Sequence, residues 1–423
     1  MPNTIKTLIR RILPSFLLNR CLSLYHLAIA WLAAAWYGSP SRFMLVIGVT
    51  GTKGKTTVTE MLNAILEEAG HTTCLVNSIR FKVGPKSAPN LTRMSMPGRF
   101  FLQKTLSEAL HAGCTAAILE MTSEGARQHR HRFIDLNALV FTNLAPEHIE
   151  SHGSYEAYAD AKFEIGKQLV RSKKAVRIVA ANADDRESPR YLMLSVERAL
   201  PFTLSSTEAS ADENGGNFVF NETRITINLP GTFSLKNALA AATLSRALGI
   251  DVRVIAKALG NLKRIPGRAE RIEAGQDFTV VVDYAHTPDS LKALYEAFEN
   301  KQKICVMGAT GGGRDAWKRP VMGRIAEEYC ESIILTNEDP YDEDPGQIVG
   351  DITHGMTKRP EIIMDRREAI RRGLKLAGPN SAVLITGKGT DPSICGPRGE
   401  KLPWSDAQVA REEIEALRIK STV

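Results

Sequence analysis

Residues 44–57 read Met-Leu-Val-Ile-Gly-Val-Thr-Gly-Thr-Lys-Gly-Lys-Thr-Thr. An apolar, β-branched run ends in glycine, a glycine-rich loop follows, and a helical pattern then occupies Thr56–Ala69. Such a segment has few options: a buried strand must turn sharply and feed a helix. Backbone N–H groups of a loop in that position can wrap phosphate oxygens, and the helix N-terminus adds its positive end. Lys55 supplies a cation for the β- and γ-phosphates, and Thr56 offers a hydroxyl to Mg²⁺. From Gly48 to Gly54 the loop holds one residue more than the strict Walker spacing. Gly51, Thr52, Lys53, Gly54, Lys55, Thr56 and Thr57 are the candidate ATP-binding residues here.

The strand-then-helix alternation continues beyond this loop. Apolar runs at Ala116–Glu120, Ala138–Thr142 and Ile178–Asn182 read as further strands of a parallel sheet covered by helices. Glycine, serine and asparagine cluster over Ser205–Gly216, then Asn217–Asn228 alternates as a hairpin does, and Ser234–Leu248 is strongly helical. Lys263-Arg-Ile-Pro-Gly-Arg268 is a basic, turn-rich break. Alternation restarts after it, with strands at Thr279–Asp283, Lys303–Gly308, Ser332–Asn337 and Ala382–Thr386, and helices at Ser290–Phe298 and Val321–Tyr329. At 423 residues more than one domain is expected. The expected fold is α/β: a central domain of phosphate-loop ATPase type over 43–265, then a Rossmann-like α/β domain over 266–423.

Five further segments carry chemistry at strand ends, where ligands of parallel sheets bind. Glu120 closes an apolar strand in Leu-Glu-Met-Thr-Ser123. His148 lies in Thr142-Asn-Leu-Ala-Pro-Glu-His-Ile-Glu-Ser-His152. A carboxylate beside the phosphate loop can hold Mg²⁺. Val282-Asp-Tyr-Ala-His-Thr-Pro288 runs from a strand into a helix, and Met307–Pro320 is a glycine loop with Arg314, Lys318 and Arg319. Thr336–Pro345 is an unusually acidic loop, suited to a cationic ligand. Tyr158-x-x-x-Lys162 falls on a helix, and alone Lys162 reads as a solvated lysine.

The N-terminus differs in composition. Residues 1–42 carry Lys6, Arg10, Arg11, Arg20 and Arg42 and no acid, around a run from Cys21 to Tyr37 that is almost wholly apolar. The run is slightly short for a spanning helix and is interrupted by His26. Its basic flanks with Trp31, Trp36 and Tyr37 fit a helix lying in a membrane interface; a helix packed on the protein itself fits equally. The net charge of +7 suits acidic small molecules. No basic stripe with interleaved aromatics is present, so nucleic acid is not an expected partner. The six cysteines form no C-x-x-C pair. Neither a zinc ribbon nor a disulfide scaffold is expected, and a reducing compartment is the simpler reading.

Taken in order, these motifs resemble the Mur ligase family. The set comprises Thr-Gly-Thr-x-Gly-Lys-Thr-Thr at 50–57, Glu120, Thr142-Asn-Leu with His148 and His152-Gly153, and Lys162. It continues with Leu-Pro-Gly-x-Phe at 229–233 with Asn237, Pro266-Gly-Arg268, Asp283-Tyr-Ala-His-Thr-Pro288, and Arg314 to Pro320. Within the family the pattern is nearest that of the ligases adding the third residue of the peptidoglycan stem peptide. The resemblance implies a cytoplasmic, monomeric enzyme using ATP and two Mg²⁺ ions to join a free amino acid to a muramoyl-peptide acceptor through an acyl phosphate. It implies that Lys55 and Thr56 hold ATP and Mg²⁺, that Glu120 and His148 are metal ligands, and that Lys162 is carbamylated and becomes a third. Asn237 would contact adenine. Arg268, Asp283, His286 and Lys318 would approach the nucleotide. Ser95, Ser123, Gln128 and Arg130 fall where the family binds the acceptor; Asp339, Tyr341, Gly387 and Asp391 fall where it binds the amino acid. Two α/β domains would close over the reactants and exclude water from the acyl phosphate.

Two departures from the pattern shape the expectation. The family's N-terminal domain for uridine diphosphate has no counterpart here, and residues 1–42 stand in its place. A helix at the inner face of the membrane would suit a lipid-linked or other non-UDP acceptor. Second, ligases that select diaminopimelate carry Asp-Asn-Pro-Arg, where this chain has Glu338-Asp-Pro-Tyr341; Gly387-Lys-Gly-Thr-Asp391 likewise replaces Gly-Lys-Gly-His-Glu. Without that arginine no bidentate partner awaits a distal carboxylate, and the acidic loop points to a diamino acid such as lysine. A folylpolyglutamate synthase shares the loop and the modified lysine. A catalytically silent nucleotide-binding partner protein is the reading from another functional class.

Overall fold

The computed structural model describes residues 15–147 and 149–422. The chain divides into two compact units. One comprises the chain up to Ala145 with Tyr155–Phe202 and Thr243–Gly249; the other comprises Pro146–Ser154, Thr203–Ala242 and the chain from Ile250 onward.

The first unit is built on one sheet of eight strands. In chain order these are β1 (Leu45–Thr50), β2 (Thr73–Val76), β3 (Arg80–Val83), β4 (Lys86–Pro89), β5 (Ala116–Glu120), β6 (Ala138–Phe141), β7 (Ile178–Asn182) and β8 (Arg198–Phe202). Their order across the sheet is β4-β3-β2-β5-β1-β6-β7-β8. Across the sheet the six strands β2-β5-β1-β6-β7-β8 run parallel, and the β2–β3 and β3–β4 pairings at one edge are antiparallel. The central strands are apolar without alternation because both faces are covered; Val46, Ala117, Leu119, Leu139, Phe141 and Val179 belong to one core. Apolar runs in the sequence mark β1 and β5 to β7 but neither β8, whose Arg198–Phe202 is mostly exposed, nor β2 to β4. Those are four-residue strands, and β4 is exposed throughout, so no apolar period marks it.

The second unit holds a three-stranded antiparallel sheet and a six-stranded sheet. In the smaller sheet, β9 (Ser210–Ala211) pairs with β10 (Gly216–Phe220), which forms the expected hairpin with β11 (Thr223–Ile227). The larger has the order β12-β13-β17-β14-β15-β16. Its strands are β12 (Glu270–Arg271), β13 (Thr279–Asp283), β14 (Gln302–Met307), β15 (Ser332–Leu335), β16 (Glu361–Ile362) and β17 (Ser381–Thr386). All pairs but β12–β13 are parallel. A short hairpin of β18 (Ser393–Cys395) and β19 (Lys401–Pro403) follows.

Two features of this unit were not foreseen. Cys305 on β14 and Cys330 after the Lys318–Tyr329 helix are joined by a disulfide, a single bridge that the reading of a reducing compartment does not anticipate; Cys21, Cys74, Cys114 and Cys395 are in no disulfide. The helices Arg366–Leu376 and Asp406–Thr422 close one face of the larger sheet. Arg366 Nε and Nη2 donate to the two carboxylate oxygens of Asp406 at 2.8 and 2.7 Å, and Trp404 Nε1 donates to the same group at 2.8 Å. Neither charged side chain is more than 1% exposed. Removing one partner leaves an uncompensated buried charge, so Asp406→Ala is expected to destabilise the chain by about 3–5 kcal/mol. The measurement is the midpoint of urea unfolding; the double change Arg366→Met with Asp406→Leu should recover much of the loss.

Candidate functional site

The phosphate loop leaves β1 and enters the Lys55–Glu68 helix through Gly54, whose φ of 81° is left-handed. β1 lies between β5 and β6, so the ends of those strands flank the loop; Val49 pairs with Glu120 and Thr50 with Phe141. From the β6 side, Thr142 and Asn143 clamp it. Thr142 Oγ1 donates to the Lys53 carbonyl at 2.6 Å, and Asn143 Nδ2 donates to the same oxygen at 3.1 Å. The Lys53 amide donates to Asn143 Oδ1 at 2.9 Å, and the Thr52 amide to the Asn143 carbonyl at 2.8 Å. From below, Lys162 Nζ donates to the Gly51 carbonyl at 2.6 Å. Thr52 Oγ1 lies 2.9 Å from the Tyr158 hydroxyl, one helical turn from Lys162. Lys162 is 2% exposed and is not the solvated lysine that its sequence context alone suggests.

On the β5 side, Glu120 meets the start of the helix. Thr56 Oγ1 donates to Glu120 Oε2 at 2.9 Å, and Lys55 Nζ lies 4.0 Å from Oε1 and 3.0 Å from the Thr52 carbonyl. Ser78, which the sequence reading missed, completes the group. Its amide donates to Glu120 Oε2 at 3.1 Å, and its hydroxyl lies 2.8 Å from Thr56 Oγ1. Its signal was the polar Asn77-Ser78 at the end of an unrecognised strand. A hydroxyl, a buried carboxylate and a lysine on a phosphate loop fit Mg²⁺ and a triphosphate. Magnesium is commonly held by one or two carboxylates plus phosphate oxygens and water. No group of three or more His, Cys, Asp or Glu residues that could hold a metal occurs among the described residues. His148 lies outside the described residues.

The expected acceptor residues gather elsewhere in the same unit. Thr122 Oγ1 caps the Ser123–Arg127 helix by accepting from the Gly125 amide, and Ser123 is buried in its first turn. Arg130 Nη2 donates to Gln128 Oε1 at 2.8 Å, and its Nη1 donates to the carbonyl of Met96, next to Ser95. Arg99 donates to the Gln128 carbonyl through Nε at 2.9 Å. Gln128 and Arg130 are thereby brought together in one polar loop cluster, with the Met96 backbone that follows Ser95. Burial holds the His131 imidazole down to about 3, well below its usual range; it is neutral beneath this cluster.

In the second unit, Asp283 at the end of β13 accepts from the Ala269 and Ala285 amides at 2.5 and 2.6 Å. The Gly387 amide donates to its carbonyl at 3.2 Å. The Arg268 guanidinium lies over the Tyr284 ring at 4.7 Å. His286 Nε2 is 3.0 Å from Glu147 Oε1, and Nδ1 is 2.6 Å from the Tyr284 carbonyl. Arg268, Asp283, His286 and Gly387 thus share one strand-end cluster. Asn237 lies on the Thr232–Ala247 helix and Lys318 opens the Lys318–Tyr329 helix; both are buried.

The acidic loop is less open than its composition suggests. Asp339 Oδ1 accepts from buried Lys388 at 2.8 Å and from the Cys395 amide at 2.7 Å. Glu343 holds Arg319, Asp342 accepts from the Arg398 amide, and Asp344 caps the Pro345–Thr353 helix. These partners take up Asp339, Asp342, Glu343 and Asp344 within the protein. Glu338 differs: Thr310 donates to its Oε1 at 2.8 Å, Oε2 has no hydrogen-bond partner, and burial pushes its carboxyl above the usual range. Tyr341, in a left-handed backbone conformation, lies under the Arg314 guanidinium at 5.1 Å. Asp391 is 3.7 Å from the Lys388 ammonium.

Gly51 offers a direct check on the loop. Its φ is +143°, and a Cβ there would lie 2.0 Å from Thr142 Oγ1. Gly51→Ala must break the clamp, and is expected to weaken ATP binding by at least about tenfold while the chain stays folded. Isothermal titration with ATP and Mg²⁺ reads the first, circular dichroism the second.

Comparison with known proteins agrees with this architecture. A family model described as Mur ligase middle domain matches residues 49–245, and one described as Mur ligase, glutamate ligase domain matches residues 267–389. The UDP-N-acetylmuramoyl-L-alanyl-D-glutamate–2,6-diaminopimelate ligase of Syntrophomonas wolfei is 35% identical over 402 residues, covering 91% of this chain and 81% of that one. A UDP-N-acetylmuramyl-tripeptide synthetase of a Roseiflexus species is 36% identical over 420 residues, covering 92% and 82%. A solved UDP-N-acetylmuramoyl-L-alanyl-D-glutamate–2,6-diaminopimelate ligase superposes with a TM-score of 0.61 at 28% identity, covering 89% of this chain and 79% of that one. The motif set, the two α/β units and these matches agree that the chain belongs to the Mur ligase family, whose members are ATP-dependent acid–amino-acid ligases of peptidoglycan synthesis.

Proposed function

We propose that this ligase adds a diamino acid without a distal carboxylate, of which lysine is the type, as the third residue of a muramoyl-dipeptide acceptor. The functional domains proposed are 43–265 and 266–423. The observation that carries the choice of amino acid is Tyr341, which stands where diaminopimelate-selecting ligases place an arginine. A phenol cannot form the paired hydrogen bonds that a carboxylate takes from a guanidinium. Arg314 is stacked on that phenol, and the unpartnered Glu338 Oε2 offers an acceptor to an ammonium group.

In this reading the acceptor carboxylate attacks the γ-phosphorus of ATP; a P–O bond forms and ADP leaves. The amino acid's amine then attacks the acyl carbonyl, loses a proton, and expels inorganic phosphate as the amide forms. Lys55 offsets the negative charge of the phosphates during the first step. Thr56 and Glu120 would hold Mg²⁺, which when bound supplies Lewis-acid stabilisation of charge on the phosphoryl oxygens. Lys162, as its ammonium, cannot ligate a cation. Carbamylation by carbon dioxide would give it an anionic carboxylate-like end, while the carbamate nitrogen keeps one N–H for Gly51. A lipid-linked acceptor is the second reading, favoured by the apolar outer face of the Ser15–Trp36 helix.

Mass spectrometry of products formed from ATP, UDP-linked and lipid-linked muramoyl-dipeptide, and equimolar lysine and meso-diaminopimelate tests these assignments. An unpaired distal carboxylate costs about 1–3 kcal/mol, so lysine should be favoured roughly fivefold or more. A product dominated by diaminopimelate overturns the proposal. For Lys162, a carbamate carbon signal should appear in the native chain equilibrated with ¹³C-bicarbonate and be absent from Lys162→Ala. That variant should lose at least about 100-fold in turnover, and added formate should restore part of it.

A further inference from the structure

The Ser15–Trp36 helix is apolar on both sides. Leu27, Ala30, Ala33 and Ala34 turn inward, and the three alanines are buried. Outward face Leu22, Leu24, Tyr25, Trp31, Leu32 and Trp36, with Leu24 61%, Trp31 59% and Trp36 75% exposed. A helix at a protein–water boundary normally turns charge outward; this one has no Asp, Glu, Lys or Arg anywhere in 21–41. Phe43 is exposed just beyond it, and Phe100 packs edge-on against Tyr37 with ring centres 6.3 Å apart.

We propose that the outer face of the Ser15–Trp36 helix docks in the interfacial layer of an anionic lipid bilayer. Charge selects this occupant. Residues 1–41 carry Lys6, Arg10, Arg11 and Arg20 and no acid, which complements acidic headgroups; Arg42 is engaged by Asp135 at 3.3 Å. A second copy of the chain would bring the same cations against themselves across a two-fold contact. Tryptophan and tyrosine on the outer face suit the headgroup boundary. No helix among the described residues is long and apolar enough to cross a membrane, so the helix lies on the surface rather than through it. On its inner side, Ser23 Oγ is 2.8 Å from His129 Nε2. Docking therefore carries the loop of Gln128 and Arg130 to the membrane surface.

The test is flotation of the purified full chain with vesicles of phosphatidylglycerol and phosphatidylethanolamine, set against phosphatidylcholine vesicles. The native chain should float with the anionic vesicles and be released as salt rises. Trp31→Glu with Trp36→Glu should cut that binding at least about tenfold, with the rate on a water-soluble acceptor unchanged. A second reading needs no variant: bromine on the acyl chains of the anionic vesicles should quench the native chain's tryptophan fluorescence. Absence of flotation, equal binding by the double variant, or absence of quenching overturns the proposal. So does a solution dimer of the native chain that the double variant converts to monomer.

Discussion

A loop that offers N–H groups to an anion has to turn its carbonyls the other way, and something must receive them. Here the carbonyls of Gly51, Thr52 and Lys53 accept from Lys162, Lys55, Thr142 and Asn143. The arrangement of β1 between β5 and β6 follows from the same need, because it places Glu120 on one side of the loop and Thr142-Asn143 on the other. A one-residue excess over the Walker spacing is accommodated by this clamp. The loop is shaped by its neighbours as much as by its glycines.

How much of this was legible depended on which physical signal each residue left. The central strands announced themselves because strands buried on both faces are uninterrupted apolar runs. β3 and β4 left no such trace: they form the antiparallel edge, and β4 faces solvent. Glu120, Thr56 and Lys55 could be placed together because a strand end and a phosphate loop share one crevice. Ser78 could not, because its strand had not been found. Lys162 shows the reverse case. Its immediate sequence looks solvated, and only the position of its helix, with Tyr158 beneath Thr52, explains its burial.

The acidic loop illustrates the limit of reading charge from composition. Asp339, Asp342, Glu343 and Asp344 are close in sequence, yet each has a separate structural duty: a buried lysine, a turn amide, an arginine and a helix start. Local net charge is not field when most of the charge is internally matched. The selectivity proposed for this region rests on Tyr341, Arg314 and one oxygen of Glu338, a much smaller set than the sequence displays.

The buried pair of Arg366 and Asp406 has a consequence for where this protein can be cut. The recognisable ligase domain ends at residue 389, yet Arg366 finds its counter-ion beyond that point. A fragment trimmed to the family's outline would retain the guanidinium and discard the carboxylate, together with a helix that covers Val280, Val282 and Ile385. The boundary by which relatives are recognised is therefore inside the boundary within which the chain can fold, and an expressible fragment has to include the last helix.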